Sequence, residues 1–293
     1  MNFDIGDGID AAVNYVLDNF SPVLDFIASL IGFVTGSIQD ALVALPMPLG
    51  IAIFVALSLW RVSLGFGILT GVALWLVNHM GLWGAMMETL SLVIASTLMA
   101  IIIGLPLGIA MARKDSVAAV VRPILDLMQT MPAFVYLIPA AMFFGLGAVP
   151  GAIATVIFSM PPVVRLTNLG IRQVHAEFIE AGNAFGCTST QLLFKVQLPN
   201  AMPSIMAGIN QTIMLSLSMV VIASMIGAGG IGNTVLTGIQ RLDVGTGFEG
   251  GLAVVILAVI LDRLTQSLGK PRAAFWGLLF KKSEREELAT ATA

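Results

Sequence analysis

Apolar residues occur along this chain in long runs that short polar segments separate. A transmembrane helix needs roughly 20 mostly apolar residues, and three runs meet that length, at 87–112, 203–227 and 250–268. Two shorter runs, 132–147 and 149–164, contain prolines, which membrane helices tolerate when neighbouring helices satisfy the freed carbonyls. The pattern therefore predicts five spans.

The segment 47–80 holds two further apolar stretches on either side of Arg61, and each is short for a span. They form either two brief helices or a re-entrant hairpin, and both readings return the chain to the side it came from. With two spans favoured here, we expect an all-α polytopic membrane protein with about seven transmembrane helices.

The first 46 residues carry an amphipathic pattern rather than a continuous apolar run. Ser21 and Pro22 have the residue types that open a helix, as N-cap and first-turn proline. We therefore expect two external interfacial helices in 1–46 and no span, either packed over the rim of the bundle or docking an external partner. One helical face collects Ile9, Val13, Val16, Leu17 and Phe20, and the opposite face collects Asp10, Asn14 and Asp18.

Composition supports a membrane protein and argues against disulfide and metal chemistry. Hydrophobic residues make up 57% of the chain and charged residues only 11%, whereas about a quarter of a soluble domain is charged. The single Cys187 allows neither an internal disulfide nor a cysteine metal cluster, and His79 and His175 are far apart. The acidic N-terminus does not have the form of a signal peptide. We predict no catalytic residue and no metal site.

The basic residues fix an orientation, because Lys and Arg concentrate in cytoplasmic loops. When the loop around Glu180 is placed in the cytoplasm, only Arg241 of the 14 Lys and Arg residues falls outside. This places the N-terminus outside and the tail 269–293 in the cytoplasm.

A polar insert interrupts the apolar pattern between two spans, at 170–202. Good helix formers fill 176–185, and the stretch that follows is rich in turn and capping residues. We predict a compact helix–turn–helix parallel to the membrane. Its boundaries are assigned to Gly186 as the stop, Ser189 and Thr190 as the second cap, and Pro199 and Pro203 as the end.

This insert resembles the EAA loop of binding-protein-dependent ABC importer permeases. The family pattern is Glu-Ala-Ala, three residues, Gly, nine residues, Ile, one residue, Leu-Pro. The sequence departs from it only by Gly182 in place of Ala and Val196 in place of Ile. The matching positions are Glu180, Ala181, Gly186, Leu198 and Pro199.

Further segments are similar to the glycine betaine/proline betaine permeases, and the resemblance covers about 85–268. They read DLMQTMPAFVYLIPAAMFFGLG, FSMPPVVRLTNLGIRQV and MIGAGGIGNTV. The resemblance implies a permease subunit in the cytoplasmic (inner) membrane of a prokaryote that imports an osmoprotectant quaternary amine by alternating access. It does not distinguish glycine betaine from proline betaine, choline or carnitine.

The chain has no G-x-x-x-x-G-K-[ST] phosphate loop, so the resemblance places ATP and Mg in a separate ATPase. It implies two copies of that ATPase, a second copy of this chain, an external solute-binding protein and surrounding lipid, with no nucleic acid. The EAA helix would sit in a groove of the ATPase. Glu180 would present a carboxylate, Ala181 and Gly182 would permit close approach, Gly186 would permit the turn, and Leu198 and Pro199 would fix the exit.

A solute path is predicted where Pro132 and Pro139 bracket Phe134 and Tyr136, because aromatic faces attract quaternary ammonium groups. Lipid-facing or core packing is the alternative role for these rings. The run from Gly227 to Gly232 indicates a flexible gate or a tight helix turn.

A transporter driven by an ion gradient is the principal rival. It predicts charged residues at mid-membrane and an inverted internal repeat, and the sequence shows neither. An intramembrane enzyme would need a nucleophile with a base or a metal pair, which is also not found.

Overall fold

The computed structural model of the protein describes residues 5–268, and within that range it is built from α-helices, short 3₁₀ turns and one π-helical turn. The predicted tail 269–293 lies outside the described residues. The helices are α1 Ile5–Val43, α2 Met47–Arg61, α3 Leu64–His79, α4 Trp83–Arg113, α5 Asp115–Thr130, α6 Leu137–Phe144, α7 Ala148–Ser159, α8 Pro161–Arg172, α9 Ala176–Ala184, α10 Ser189–Leu192, α11 Leu198–Ala223, α12 Ile231–Arg241 and α13 Val244–Leu268.

Five helical segments of the described range are long and apolar enough to cross a membrane, and a bent pair makes a possible sixth. The five are Val13–Val43, Trp83–Arg113, Ala148–Arg172, Ser189–Ile226 and Val244–Leu268. The all-α membrane fold predicted from the apolar runs is confirmed. Helices α2 and α3, with 15 and 16 residues, form the short helix pair expected in 47–80.

The N-terminal prediction of two short helices is wrong. Residues Ile5–Val43 form one continuous helix with Pro22 inside it, and the part from Val13 onward has the length and apolarity of a span. Proline removes one hydrogen bond, but its fixed φ is compatible with a helix. The helical spacing of apolar residues continues before and after Ser21 and Pro22, so these two residues lie inside one helix and do not begin a second one.

The predicted span at 132–147 is also corrected. Helix α5 ends at Thr130, and the chain turns by 110° into a 3₁₀ turn, Ala133–Tyr136, followed by the 8-residue α6. Residue 131, which precedes Pro132, is held in the extended conformation that a following proline favours, and this breaks the helix. The stretch 132–147 is therefore not one straight span, and the bent pair forms either a broken span or a re-entrant loop.

Helix α4 forms the centre of the bundle and packs against α1, α7, α8 and α11. Glycines bring the backbones close: a Cβ on Gly104 would lie 2.6 Å from Val163, and one on Gly208 would lie 3.1 Å from the Cα of the same valine. Buried hydroxyls add polar links, because Thr97 donates to Ser216 at 3.3 Å and Ser216 donates to Ser159 at 3.0 Å. Close small-residue packing of this kind is typical of membrane helices.

Candidate functional site

The insert, defined here as residues 176–197, begins with α9 and turns sharply at Gly186. Gly186 has φ +77°, the left-handed conformation that glycine adopts without a steric penalty. Its N–H donates to the Asn183 carbonyl at 2.9 Å, and the N–H of Cys187 donates to the Gly182 carbonyl at 3.0 Å. These two bonds form a Schellman motif, so the predicted helix stop is confirmed.

The second helix of the insert is capped one residue earlier than predicted. Thr188 accepts a hydrogen bond from the backbone of Gln191 at 3.3 Å, and the Gln191 side chain accepts one from the backbone of Thr188 at 2.9 Å. This reciprocal capping box requires a glutamine or glutamate three residues after the cap. Ser189 and Thr190 therefore lie inside the helix.

The prolines do not end the insert, contrary to the prediction. Helix α10 continues through a π-helical turn, Leu193–Gln197, directly into α11, and Leu198 donates its N–H to the carbonyl of Leu193 five residues back. Pro199 lies in the first turn of α11, where its missing N–H costs little, and Pro203 lies inside that helix. The insert and the following span are therefore one continuous helical run.

Buried contacts fix the insert to the bundle. Gly182 is buried, and a Cβ at this position would lie 2.7 Å from the end of Leu192, so α9 approaches the second helix closely. Leu193 is buried in a cluster with Ile171, Ala201 and Ile205. The insert is thus packed against α8 and α11 and is not a loose loop.

Arg172, at the end of α8 and just before the insert, links α8 to α4 and α5. Its guanidinium donates to Asp115 at 2.6 Å, to the Met111 carbonyl at 2.7 Å and to Asn168 at 2.9 Å. These charge-assisted bonds join the ends of α4, α5 and α8 immediately before α9.

The insert exposes three aromatic rings and a carboxylate. Phe185 is 90% exposed, Phe194 is 61% exposed and Phe178 is 48% exposed, and Glu180 and Ala181 are exposed on the same insert. Exposed apolar residues grouped in this way mark interaction surfaces. Of the predicted coupling residues, Gly182 is buried and Leu198 is half-buried, whereas Gly186 and Pro199 are exposed.

The structure does not bring the predicted path aromatics together. Tyr136 is 9% exposed, its hydroxyl donates to the Met128 carbonyl, and its ring lies 6.4 Å from that of Phe158. It braces the bend between α5 and α6. Phe134 is 58% exposed, and Pro132 and Pro139 are exposed as well. The two rings therefore have different environments: one packs in the core and the other is open.

The glycine run after α11 is a tight turn. Gly227, Gly229 and Gly230 all have positive φ, and two α4 side chains accept hydrogen bonds at the N-terminus of α12. Glu88 accepts from the N–H of Gly230 at 3.0 Å, and Thr89 accepts from that of the next residue at 2.8 Å. A carboxylate interacts favourably with a helix N-terminus, so Glu88 stabilises the start of α12, a role that the sequence analysis did not predict.

A bundle of apolar helices with a packed insert that exposes aromatic rings and a carboxylate defines a polytopic membrane protein. The family described as "Binding-protein-dependent transport system inner membrane component" matches residues 104–270. The chain belongs to this family, as its resemblance to the EAA pattern predicted, and is a membrane component of an ABC importer.

Two relatives illustrate the match. The "Glycine betaine/proline betaine transport system permease protein ProW" of Escherichia coli (strain K12) is 51% identical over 263 residues, which are 89% of this chain and 74% of the relative. The "Glycine betaine transport system permease protein OpuAB" of Bacillus subtilis (strain 168) is 49% identical over 265 residues, covering 90% and 94%.

Among solved structures, an inward-facing form of the MetNI methionine ABC transporter superposes with a TM-score of 0.56 at 24% identity, covering 64% of this chain and 92% of that one. At this identity, the likeness supports the fold alone.

Proposed function

We propose that this chain carries a small osmoprotectant of the glycine betaine or proline betaine class across the membrane as one of two permease copies, driven by a separate ATPase. The relatives named for these solutes cover most of this chain. The ATPase binds ATP and Mg, and an external binding protein delivers the solute. We place the C-terminus in the cytoplasm, on the distribution of Lys and Arg.

One observation carries the proposed coupling role: the insert is anchored on one side and open on the other. Leu193 holds it to the bundle, and Arg172 fixes the end of α8 immediately before it, while Phe185 and Glu180 are exposed. An anchored helix transmits a displacement of its partner to α11, because no flexible loop separates the two. Closure of two ATPases on ATP would pull two inserts together and tilt the bundles.

The coupling proposal is tested by co-purifying the chain with its ATPase in nanodiscs. Phe185→Ala and Glu180→Ala should weaken retention at least about 10-fold, since truncating an interface anchor typically costs 2 kcal/mol or more. Phe248→Ala is the matched control, because this ring is 68% exposed on α13 and lies outside the insert. Equal retention by all three variants would refute the coupling role.

The substrate proposal is tested by uptake of labelled glycine betaine into proteoliposomes that contain the complete complex. Uptake should require ATP inside and the binding protein outside. Uptake that follows an imposed Na⁺ or H⁺ gradient without ATP would instead support the rival, a gradient-driven transporter.

A further inference from the structure

From Ala207 onward, one face of α11 and of the 3₁₀ turn Ser224–Ile226 that follows it is exposed, whereas the other residues of this stretch are buried or half-buried. Ala207, Gln211, Ser218 and Met225 are exposed, and their spacings of four and seven residues keep them on a single helical face. We call these four residues the polar stripe. Helix α11 carries no charged side chain. The polarity of the stripe comes from the amide of Gln211 and from the hydroxyl of Ser218, which donates to the Met214 carbonyl at 3.1 Å.

The exposed face of α4 differs from the polar stripe in chemistry. It carries Ile94, Leu98, Ile102 and Ile103, which are 39–61% exposed and fully aliphatic, as expected for a helix in contact with lipid. Both helices belong to segments long enough to span the membrane. An unpaired amide in hydrocarbon costs several kcal/mol, so a lipid-facing position is a poor location for Gln211.

Neighbouring helices flank the polar stripe without covering it. On one side, Gly208 packs against the backbone of Pro162 and Val163 in α8. On the other side, Asn210 donates to Asp262 of α13 at 3.0 Å. The side chain of Gln211 makes no hydrogen bond within the described residues, so its amide is available to water, solute or a second copy of the chain.

We infer that the polar stripe is a water-exposed wall of the solute path and that Gln211 and Ser218 contact the solute directly. The inference rests on the proposed function and names the residues that would serve it. A betaine is a zwitterion with a methylated ammonium and a carboxylate. The Gln211 amide can donate to the carboxylate, while the Met225 thioether offers an adaptable apolar contact. A wall without charge permits passage, since conduction requires contacts weak enough to release the solute.

Thiol accessibility tests this inference directly. In the Cys187→Ser background, Gln211→Cys and Ser218→Cys are compared with Leu98→Cys and Ile102→Cys on α4. The probe is the trimethylammonium-ethyl methanethiosulfonate cation, which reacts with thiolates in water and not in lipid. Reconstituted complexes should show modification of the stripe positions at least about 10-fold faster than the α4 positions. Added glycine betaine should slow that reaction.

Two outcomes would overturn the inference. Slow labelling of both stripe cysteines together with ready disulfide formation between copies would make the stripe a dry subunit interface. Slow labelling without disulfides would make it a lipid-facing surface.

Uptake by the wild-type complex is measured in parallel, so that a failure of the proposed betaine import can be distinguished from a failure of the proposed solute-path wall. ATP-driven betaine uptake together with slow labelling of the stripe cysteines would refute the stripe as a wall of the solute path and leave the proposed import function intact. Fast labelling without ATP-driven uptake refutes the proposed function and leaves a wet pathway of another transporter.

Discussion

Gly108→Ala should destabilise the bundle by forcing α4 and α8 apart. A Cβ at Gly108 would lie 2.7 Å from the Cβ of Thr167 and 2.7 Å from the carbonyl oxygen of Val164. Ordinary contact begins at 3.4 Å, so the helices must separate by about 0.7 Å, the difference between 2.7 and 3.4 Å. One blocking atom belongs to the backbone, which cannot move aside as a side-chain end would. Overpacking of this kind costs about 1–3 kcal/mol.

Gly84→Ala is the matched control, because Gly84 lies on the same helix and an added Cβ there meets nothing within 4 Å. Unfolding of both variants in the same detergent measures the difference. We expect Gly84→Ala to equal the wild type or exceed it slightly, since alanine favours helix over glycine. If Gly108→Ala proves as stable as Gly84→Ala, the close approach of α4 and α8 is refuted.

Three further substitutions test local features. Gly230→Ala should cost more stability in detergent unfolding than Gly145→Ala. Both glycines have positive φ, but an added Cβ would clash with Thr89 at Gly230 and would meet open space at Gly145. Equal losses would contradict the tight turn. Thr188→Ala should loosen the insert by about 0.5–2 kcal/mol, measured as faster proteolysis within it, and unchanged cleavage would contradict the capping box. The hydrogen bond from the Thr246 side chain lowers the pKa of Asp243. The stabilisation from the ionised Asp243 carboxylate is therefore present above the ordinary Asp pKa and is lost as pH falls through the lowered pKa. Thr246→Ala should raise the pKa of Asp243, which the carboxyl ¹³C shift of Asp243 would report.

The insert was the most predictable part of the chain, because its signals are local. Helix α9 ends just before Gly186, through a bond from Gly186 to the residue three positions back and one from Cys187 to the residue five positions back. A short-range sequence pattern predicts such a stop. The cap was misplaced by one residue because Thr188, Ser189 and Thr190 all have capping side chains. Only the position of Gln191 three residues after Thr188 distinguishes the first of them.

Long-range contacts decided the features that the sequence pattern missed. Glu88 accepts a hydrogen bond from Gly230, 142 residues away, and no local signal links them. Tyr136 and Phe134 are two residues apart in a 3₁₀ turn, yet only Tyr136 lies in a core cluster, between α7 and α11. Their aromatic side chains and the flanking prolines made both residues candidates for the solute path, but this local pattern does not distinguish a buried ring from an exposed one.

Helix α10 continues directly into α11, so the insert and the polar stripe are mechanically connected through one helical run. The buried cluster around Leu193 anchors the N-terminal end of this helical run to α8. A Cβ added to Gly170 of α8 would lie 2.7 Å from the Cβ of Ser204 in α11, so the backbones of these two helices pack closely together. Packed helices shift as units rather than deform continuously. A displacement of the insert would therefore move Gln211 and Ser218 with it, and the surface that we propose receives the ATPase would control the surface that we propose faces the solute.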